Sequence, residues 1–164
     1  MAARTTNQVL NQVLLVHNRS LARYLHDATP WFSPGEERAH ETLELMRRDH
    51  EAMVDRLAIF ITENGGVWDM GEYPMIFTAY HDVAFDWLLP QLLTRQEKMV
   101  WFLRQCVDQL RLAPAAKALV EEAVGLAKGH LESLQELTQP AKERPVVLAA
   151  VDHHADHGHH AGHH

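Results

Sequence analysis

The sequence predicts an all-α protein in which four long helices pack as a bundle. Apolar side chains recur at intervals of three and four residues over four long segments, as on the buried face of an amphipathic helix. No segment has the strict apolar–polar alternation that is typical of a half-buried strand. Proline or glycine lies near the boundaries between the four segments, where helices begin and end. No other fold class competes with this prediction.

The first two predicted helices are separated by a short proline-containing segment. The first runs over about residues 5–28, and the prolines that follow end it. The second has a strong start signal, with Ser33 as N-cap, Pro34 at the first helical position and Glu36 three residues after the cap. It ends at the Asn-Gly-Gly of residues 64–66, because glycine adopts the left-handed conformation of a helix cap without strain.

The connection that follows contains a short predicted helix at 75–89. Pro90 has no backbone N–H and clashes with the preceding helical turn, so the third long helix is predicted to start there and to end near Leu110. The fourth begins at Pro114 and ends near Pro140. These four helices are expected to form the bundle.

The chain is expected to comprise one domain, residues 1–140, and a flexible histidine-rich tail, residues 141–164. Flexible imidazoles chelate metals in many arrangements, so the tail is predicted to bind transition-metal ions almost regardless of the fold. Interruption by alanine, aspartate and glycine favours a native tail over a purification tag, although both interpretations remain open. The tail histidines are His153, His154, His157, His159, His160, His163 and His164.

Composition and charge exclude several classes of function. Fifteen basic against 22 acidic side chains give a net charge of −7 without a basic stripe, which disfavours nucleic-acid binding. The longest uncharged apolar run, residues 146–151, is too short to span a membrane. The N-terminus has no signal-type apolar segment, and the only cysteine, Cys106, cannot form an intrachain disulfide, so we expect a cytoplasmic protein.

Three histidines interrupt the apolar stripes of the predicted helices. His17, His50 and His130 each lie within about a turn of the midpoint of a helix. Helices of similar length that pack side by side bring their midpoints to one level of the bundle. We therefore predict that the three imidazoles meet inside the bundle and bind a metal ion, although a single core histidine is more often satisfied by a protein neighbour. His81 and Asp82 would join them only if the third helix began near residue 75.

The first helix resembles that of the ferritin-like superfamily, in particular bacterioferritins and mini-ferritins. The resemblance covers roughly residues 5–138 and is carried by Leu10, Asn11, Leu14 and Tyr24, with His17 at the position of the family's metal-binding glutamate. The terminal Gly-Gly of the second helix and the long connection after it are also similar to that family. The resemblance implies a ferritin-like four-helix bundle with a crossover between the second and third helices.

The di-iron site implied by the resemblance is incomplete. Its Glu-x-x-His pairs read Arg47-x-x-His50 and Ala127-x-x-His130 here, so both histidines remain and both glutamates are missing. Without bridging carboxylates ferroxidase activity is not expected. Nitrogen ligands favour zinc or copper over iron.

Three functions remain open at this point. The first is a metal-binding protein without ferroxidase activity, and the second is a structural or interaction bundle without metal. The third is a di-iron oxidoreductase or iron-storage protein with other carboxylate ligands, for which the candidates are Glu44, Asp82, Glu97 and Glu122. Surplus apolar residues in the first and third helices also predict a homo-oligomer.

Overall fold

All regular secondary structure in the described part of the chain is helical. The computed structural model describes residues 4–28, 32–69, 71, 73, 75–80 and 83–139. Within them there is no β-strand, so the predicted all-α class is confirmed. The elements are α1 (Thr6–Asn18), α2 (Leu21–Ala28), α3 (Glu37–Glu63), a 3-10 helix (Met75–Tyr80), α4 (Phe85–Gln109) and α5 (Pro114–Glu136).

The first predicted helix is two helices, and its prediction as one continuous element was wrong. The helical conformation is interrupted at Arg19 and Ser20, directly after α1. The Ser20 hydroxyl accepts a hydrogen bond from the backbone N–H of Arg23 at 3.3 Å, which is the N-cap contact of a new helix. The side chain of Arg23 donates a hydrogen bond to the backbone carbonyl of Asn18 at 3.3 Å. This bond stabilises the turn between the two helices.

Helix α3 begins later than the start signal at Ser33 predicts. Pro34 and Gly35 form a turn instead of the first helical residues, and Gly35 has a φ of +91° that a helix does not allow. The Glu36 carboxylate accepts a hydrogen bond from the Ser33 backbone N–H at 2.5 Å. Ser33 and Glu36, predicted as the N-cap and the third residue after it, thus close the turn that precedes the helix, which begins at Glu37.

Pro90 lies inside α4, so the prediction that this helix starts at the proline was also wrong. The helix begins at Phe85 and buries Phe85 and Leu88 before the proline. Proline in a helix interior costs about 3 kcal/mol or more, and burying these two side chains contributes about 1.5–3 kcal/mol each. Asp86, whose carbonyl would have bonded to residue 90, is exposed, so water can hydrate that carbonyl.

Other helix ends agree with the sequence. Helix α3 ends at Glu63, followed by Gly65 with a φ of +76°, and α5 has Pro114 at its N-terminus. The last helix ends at Glu136, somewhat before the predicted boundary near residue 140. No described helix is both long and apolar enough to cross a membrane.

The interior consists of two apolar clusters that occupy the two ends of the bundle. One cluster is built from the N-terminal half of α1, the second half of α3, the second half of α4 and the first half of α5. The other is built from α2, the first half of α3, the 3-10 helix, the start of α4 and the end of α5. Helices α3, α4 and α5 therefore pass from one cluster to the other, and a separate layer of residues lies where they cross.

Candidate metal centre

The layer between the two apolar clusters contains all the buried polar side chains of the described residues. They are His17, His50, Gln96 and His130, which are exposed to only 3%, 1%, 5% and 5%. Each comes from a different helix, namely α1, α3, α4 and α5. Burying a polar group without a partner costs about 1–3 kcal/mol, so a layer of four requires a specific explanation.

The three histidine rings are neighbours, as their positions at mid-helix predict. The ring of His50 lies in the middle, with its centroid 5.3 Å from that of His17 and 5.5 Å from that of His130. Both ring pairs are close to edge-to-face, with interplanar angles of 68° and 65°. The bundle therefore brings all three predicted side chains to one interior position.

The hydrogen bond of His17 determines which of its nitrogens is available. Its Nδ1 lies 2.8 Å from the carbonyl oxygen of Val13, one helical turn earlier. A carbonyl only accepts, so Nδ1 carries the proton and donates it. The lone pair of the neutral ring is therefore on Nε2.

The hydrogen bond of His130 has the same effect with the nitrogens exchanged. Its Nε2 lies 2.6 Å from the Oδ2 atom of Asp49, which accepts the bond. The Nδ1 atom of His130 is buried and has no hydrogen-bond partner. A histidine that donates one N–H to a carboxylate and presents its other nitrogen is the arrangement seen at many metal sites.

His50 has no hydrogen-bond partner at either ring nitrogen, although both nitrogens are fully buried. The small space between the rings is lined by His17, Asp49, His50 and His130 together with Met99, Leu126 and Ala127, and it does not admit a water molecule. Water between the rings therefore cannot offset the burial of the His50 ring.

Burial keeps His17 and His50 neutral. It lowers the pKa of His17 from 6.5 to about 4, against the hydrogen bond to Val13, and the charge of His130 adds a smaller effect in the same direction. Burial also holds the pKa of His50 well below its ordinary value, with further lowering by the charges of His17, His130 and Arg23. Neutral imidazole is the form that binds metal ions.

The residues present fit a metal ion in type and position, but not yet in orientation. Two imidazoles bound to one tetrahedral Zn²⁺ have ring centroids about 5 Å apart, since Zn–N bonds are about 2.0–2.1 Å. The neighbouring rings around His50 have this spacing. Among the described residues, however, no group of three or more His, Cys, Asp or Glu side chains is arranged to hold a metal ion. Metal binding would require the rings to turn about their side-chain bonds.

Three of the four carboxylates considered for a di-iron site, Glu44, Glu97 and Glu122, lie elsewhere. Glu97 and Glu122 are exposed, and Glu122 bonds to Arg56 at 2.6 Å. Glu44 bonds to Arg47 at 3.0 Å through the guanidinium Nε. None of these three carboxylates lines the space between the histidine rings. Arg47, at the position of a missing glutamate, pairs in addition with Glu51 at 2.9 Å, so its charge is balanced locally.

Several other candidate residues fall outside the described part of the chain. These are His81 and Asp82 and the seven tail histidines from His153 to His164. His40 is exposed on α3 and stacks edge-to-face on Phe32, away from the buried layer.

The sequence analysis did not identify the role of Asp49. It precedes His50, so it lies about 100° around α3 from the apolar stripe. Its side chain is 28% exposed and contacts α5, the helix packed beside that face. A carboxylate next to a stripe histidine was the available signal, but choosing His130 as its partner required the relative positions of α3 and α5.

Comparisons with known proteins add no assignment: no family model, no curated protein and no solved structure matches the chain.

Proposed function

We propose that this protein binds a transition-metal ion at His17, His50 and His130. The observation that carries the proposal is the fully buried His50 ring, which has no partner at either nitrogen and lies between two other imidazoles. Hydrogen bonds orient the flanking rings so that each has one lone pair free of its protein partner. A metal ion would satisfy the three rings at once.

The donor set favours zinc or copper. Three neutral nitrogen ligands suit Zn²⁺ or copper ions, whereas Fe³⁺ and Mg²⁺ prefer oxygen ligands. Asp49 supplies a negative charge through its hydrogen bond to His130. Iron is less suited because, among the described residues, no carboxylate other than Asp49 lines the space.

The proposal includes a ferritin-like ancestry with loss of the di-iron chemistry. Support comes from the all-α fold and from histidines that retain the positions of the family's metal ligands, while the bridging glutamates are replaced. In this proposal the histidine-rich tail, His153 to His164, recruits or buffers the metal that the bundle binds. The predicted cytoplasmic homo-oligomer remains part of the proposal.

Metal analysis of the full-length chain tests the site formed by His17, His50 and His130 once the tail histidines have been substituted. In a background with all seven tail histidines changed to glutamine, the protein is expected to retain about one zinc or copper ion per chain. Adding His50→Gln is expected to remove that ion, because it deletes the central imidazole. The measurement is elemental analysis after purification without a metal column and dialysis against a defined metal buffer.

His40→Gln is the matched control, since it removes an exposed imidazole from the same helix. It should leave the metal content of the background unchanged. The proposal is wrong if the background binds no metal, or if His50→Gln and His40→Gln bind equal amounts.

Asp49→Asn should weaken metal binding without abolishing it. An amide in place of the carboxylate accepts a weaker hydrogen bond from His130 and removes a negative charge near the ion. Changes of this kind cost about 10–100-fold in metal affinity. Competition against a chromophoric chelator measures the loss, and Asp55→Asn, an exposed position on the same helix, is the control. Equal affinities of the two variants would show that Asp49 does not support the site.

A further inference from the structure

A cavity of about 390 Å³ opens at the break between α1 and α2 and extends to α4 and the 3-10 helix. Its volume lies in the range of small-molecule sites, about 300–1,000 Å³. The cavity exists because the chain turns at Arg19 and Ser20, which both line it, instead of continuing as one straight helix. It therefore results from a specific feature of the fold.

The walls of the cavity are mostly apolar. Among the apolar side chains of α1 and α4, the partly buried Leu15, Val16 and Phe102 line this space. Its apolar lining consists of Leu15, Val16, Leu21, Ala22, Met46, Phe77, Leu92, Met99 and Phe102.

The charged residues that line the cavity are all basic. They are Arg19, Arg95 and Lys98, and no acidic side chain lines it among the described residues. This is notable in a chain with a net charge of −7. Arg19 and Lys98 are exposed at the opening. Arg95 is half-buried, with its guanidinium 4.7 Å from the centroid of the Phe77 ring.

Two of the residues that line the cavity, Arg95 and His50, also have unpartnered polar atoms. The Nε atom of Arg95 is buried without a hydrogen-bond partner. At the inner end lie His50, 1% exposed and unpartnered at both nitrogens, and Gln96, which donates to the carbonyl of Ala127 at 2.9 Å. The cavity thus combines apolar walls with the small number of converging polar groups that ligand sites contain.

We propose that this cavity binds a small amphipathic carboxylate, an anion with a short apolar body. Arg95 holds the carboxylate, with Arg19 and Lys98 adding attraction at the opening. The apolar body lies against Phe77, Met99 and their neighbours. The same basic residues repel a divalent cation, so the cavity is assigned to an anion and not to the entry of metal.

The carboxylate site shares His50 with the proposed metal centre but does not depend on a bound ion. Binding is therefore tested on the full-length protein after treatment with EDTA, using octanoate as the probe in isothermal titration calorimetry. Octan-1-ol and octylammonium have the same chain with a neutral or positive head. Octanoate is expected to bind at least about tenfold more tightly than either, because only it complements the basic lining.

Substitutions on α4 test whether Arg95 is the residue that holds the carboxylate. Arg95→Met keeps an unbranched side chain against Phe77 while removing the charge, and it is expected to weaken octanoate binding about tenfold or more. Arg104→Met, an exposed arginine on the same helix outside the cavity, is expected to change it less than about twofold. If Arg95→Met does not fold, the double variant Arg19→Met/Lys98→Met at two exposed positions tests the same charge complementarity.

The proposal is overturned if octanoate and octylammonium bind equally, if octanoate does not bind, or if Arg95→Met and Arg104→Met bind it equally. Metal content, measured on separate metal-loaded samples of the background in which the tail histidines are glutamine, keeps the two proposals distinguishable. Loss of octanoate binding in a protein that still takes up one metal ion per chain refutes only the carboxylate site. Octanoate binding by a protein that takes up no metal refutes only the metal centre.

Discussion

The metal-free protein is expected to lose about 3 kcal/mol of its free energy of unfolding as the pH falls from 6.5 to 4. The cause is His17, whose pKa is lowered by burial from 6.5 in the unfolded chain to about 4 in the bundle. A difference of one pKa unit corresponds to about 1.4 kcal/mol. His50 acts in the same direction, because burial also lowers its pKa.

The sign follows from proton binding. Between pH 4 and 6.5 the unfolded chain carries a proton on residue 17 and the folded protein does not, so lowering the pH favours unfolding. The stability associated with the neutral ring is fully present above pH 6.5. It falls progressively through the window and stops changing below about pH 4.

Urea unfolding at half-unit pH intervals in the presence of EDTA measures this effect. The background in which the tail histidines are glutamine prevents them from contributing. His17→Leu should remove much of the decline between pH 6.5 and 4, whereas His40→Gln should retain it. A decline that is the same in both variants would assign the acid sensitivity to other groups, and the His17 ring would then not be held neutral by burial.

The buried layer could be predicted because it depends on where the histidines lie along the apolar stripes of the helices. His17, His50 and His130 interrupt apolar stripes near the middle of long helices, and bundle packing brings those positions to one level. Gln96 occupies the equivalent position on α4 and completes the layer. Errors of a few residues at the helix ends did not matter, since they do not rotate the faces that the helices bury.

The cavity was not predictable because it depends on one local break. The apolar spacing continues across Arg19 and Ser20, so periodicity alone favoured an unbroken helix. The break depends on a serine cap and on Arg23 bonding to the preceding turn, which are weak signals in an otherwise helical segment. Pro90 is the converse case, since burial of the residues before it overrides the proline and extends α4.

Replacing His50 with leucine is expected to make the metal-free protein more stable. The imidazole is 1% exposed and has no partner at either nitrogen, so the folded state loses the hydration of this ring and gains no hydrogen bond. Leucine has a similar volume and no polar atom to bury. The free energy of unfolding at pH 7.5 should rise by about 1–3 kcal/mol, the usual cost of a buried unsatisfied polar group.

His130→Leu is the matched comparison and is expected to act in the opposite direction. It removes the hydrogen-bond donor of Asp49 and leaves a partly buried carboxylate unpaired. Urea unfolding in EDTA measures both variants in the tail-substituted background. Destabilisation of the metal-free protein by His50→Leu would show that the ring has a partner within the protein, and the main support for the metal centre would be lost. Stabilisation accompanied by loss of metal binding would instead identify His50 as a residue that costs stability without metal and is compensated when the ion binds.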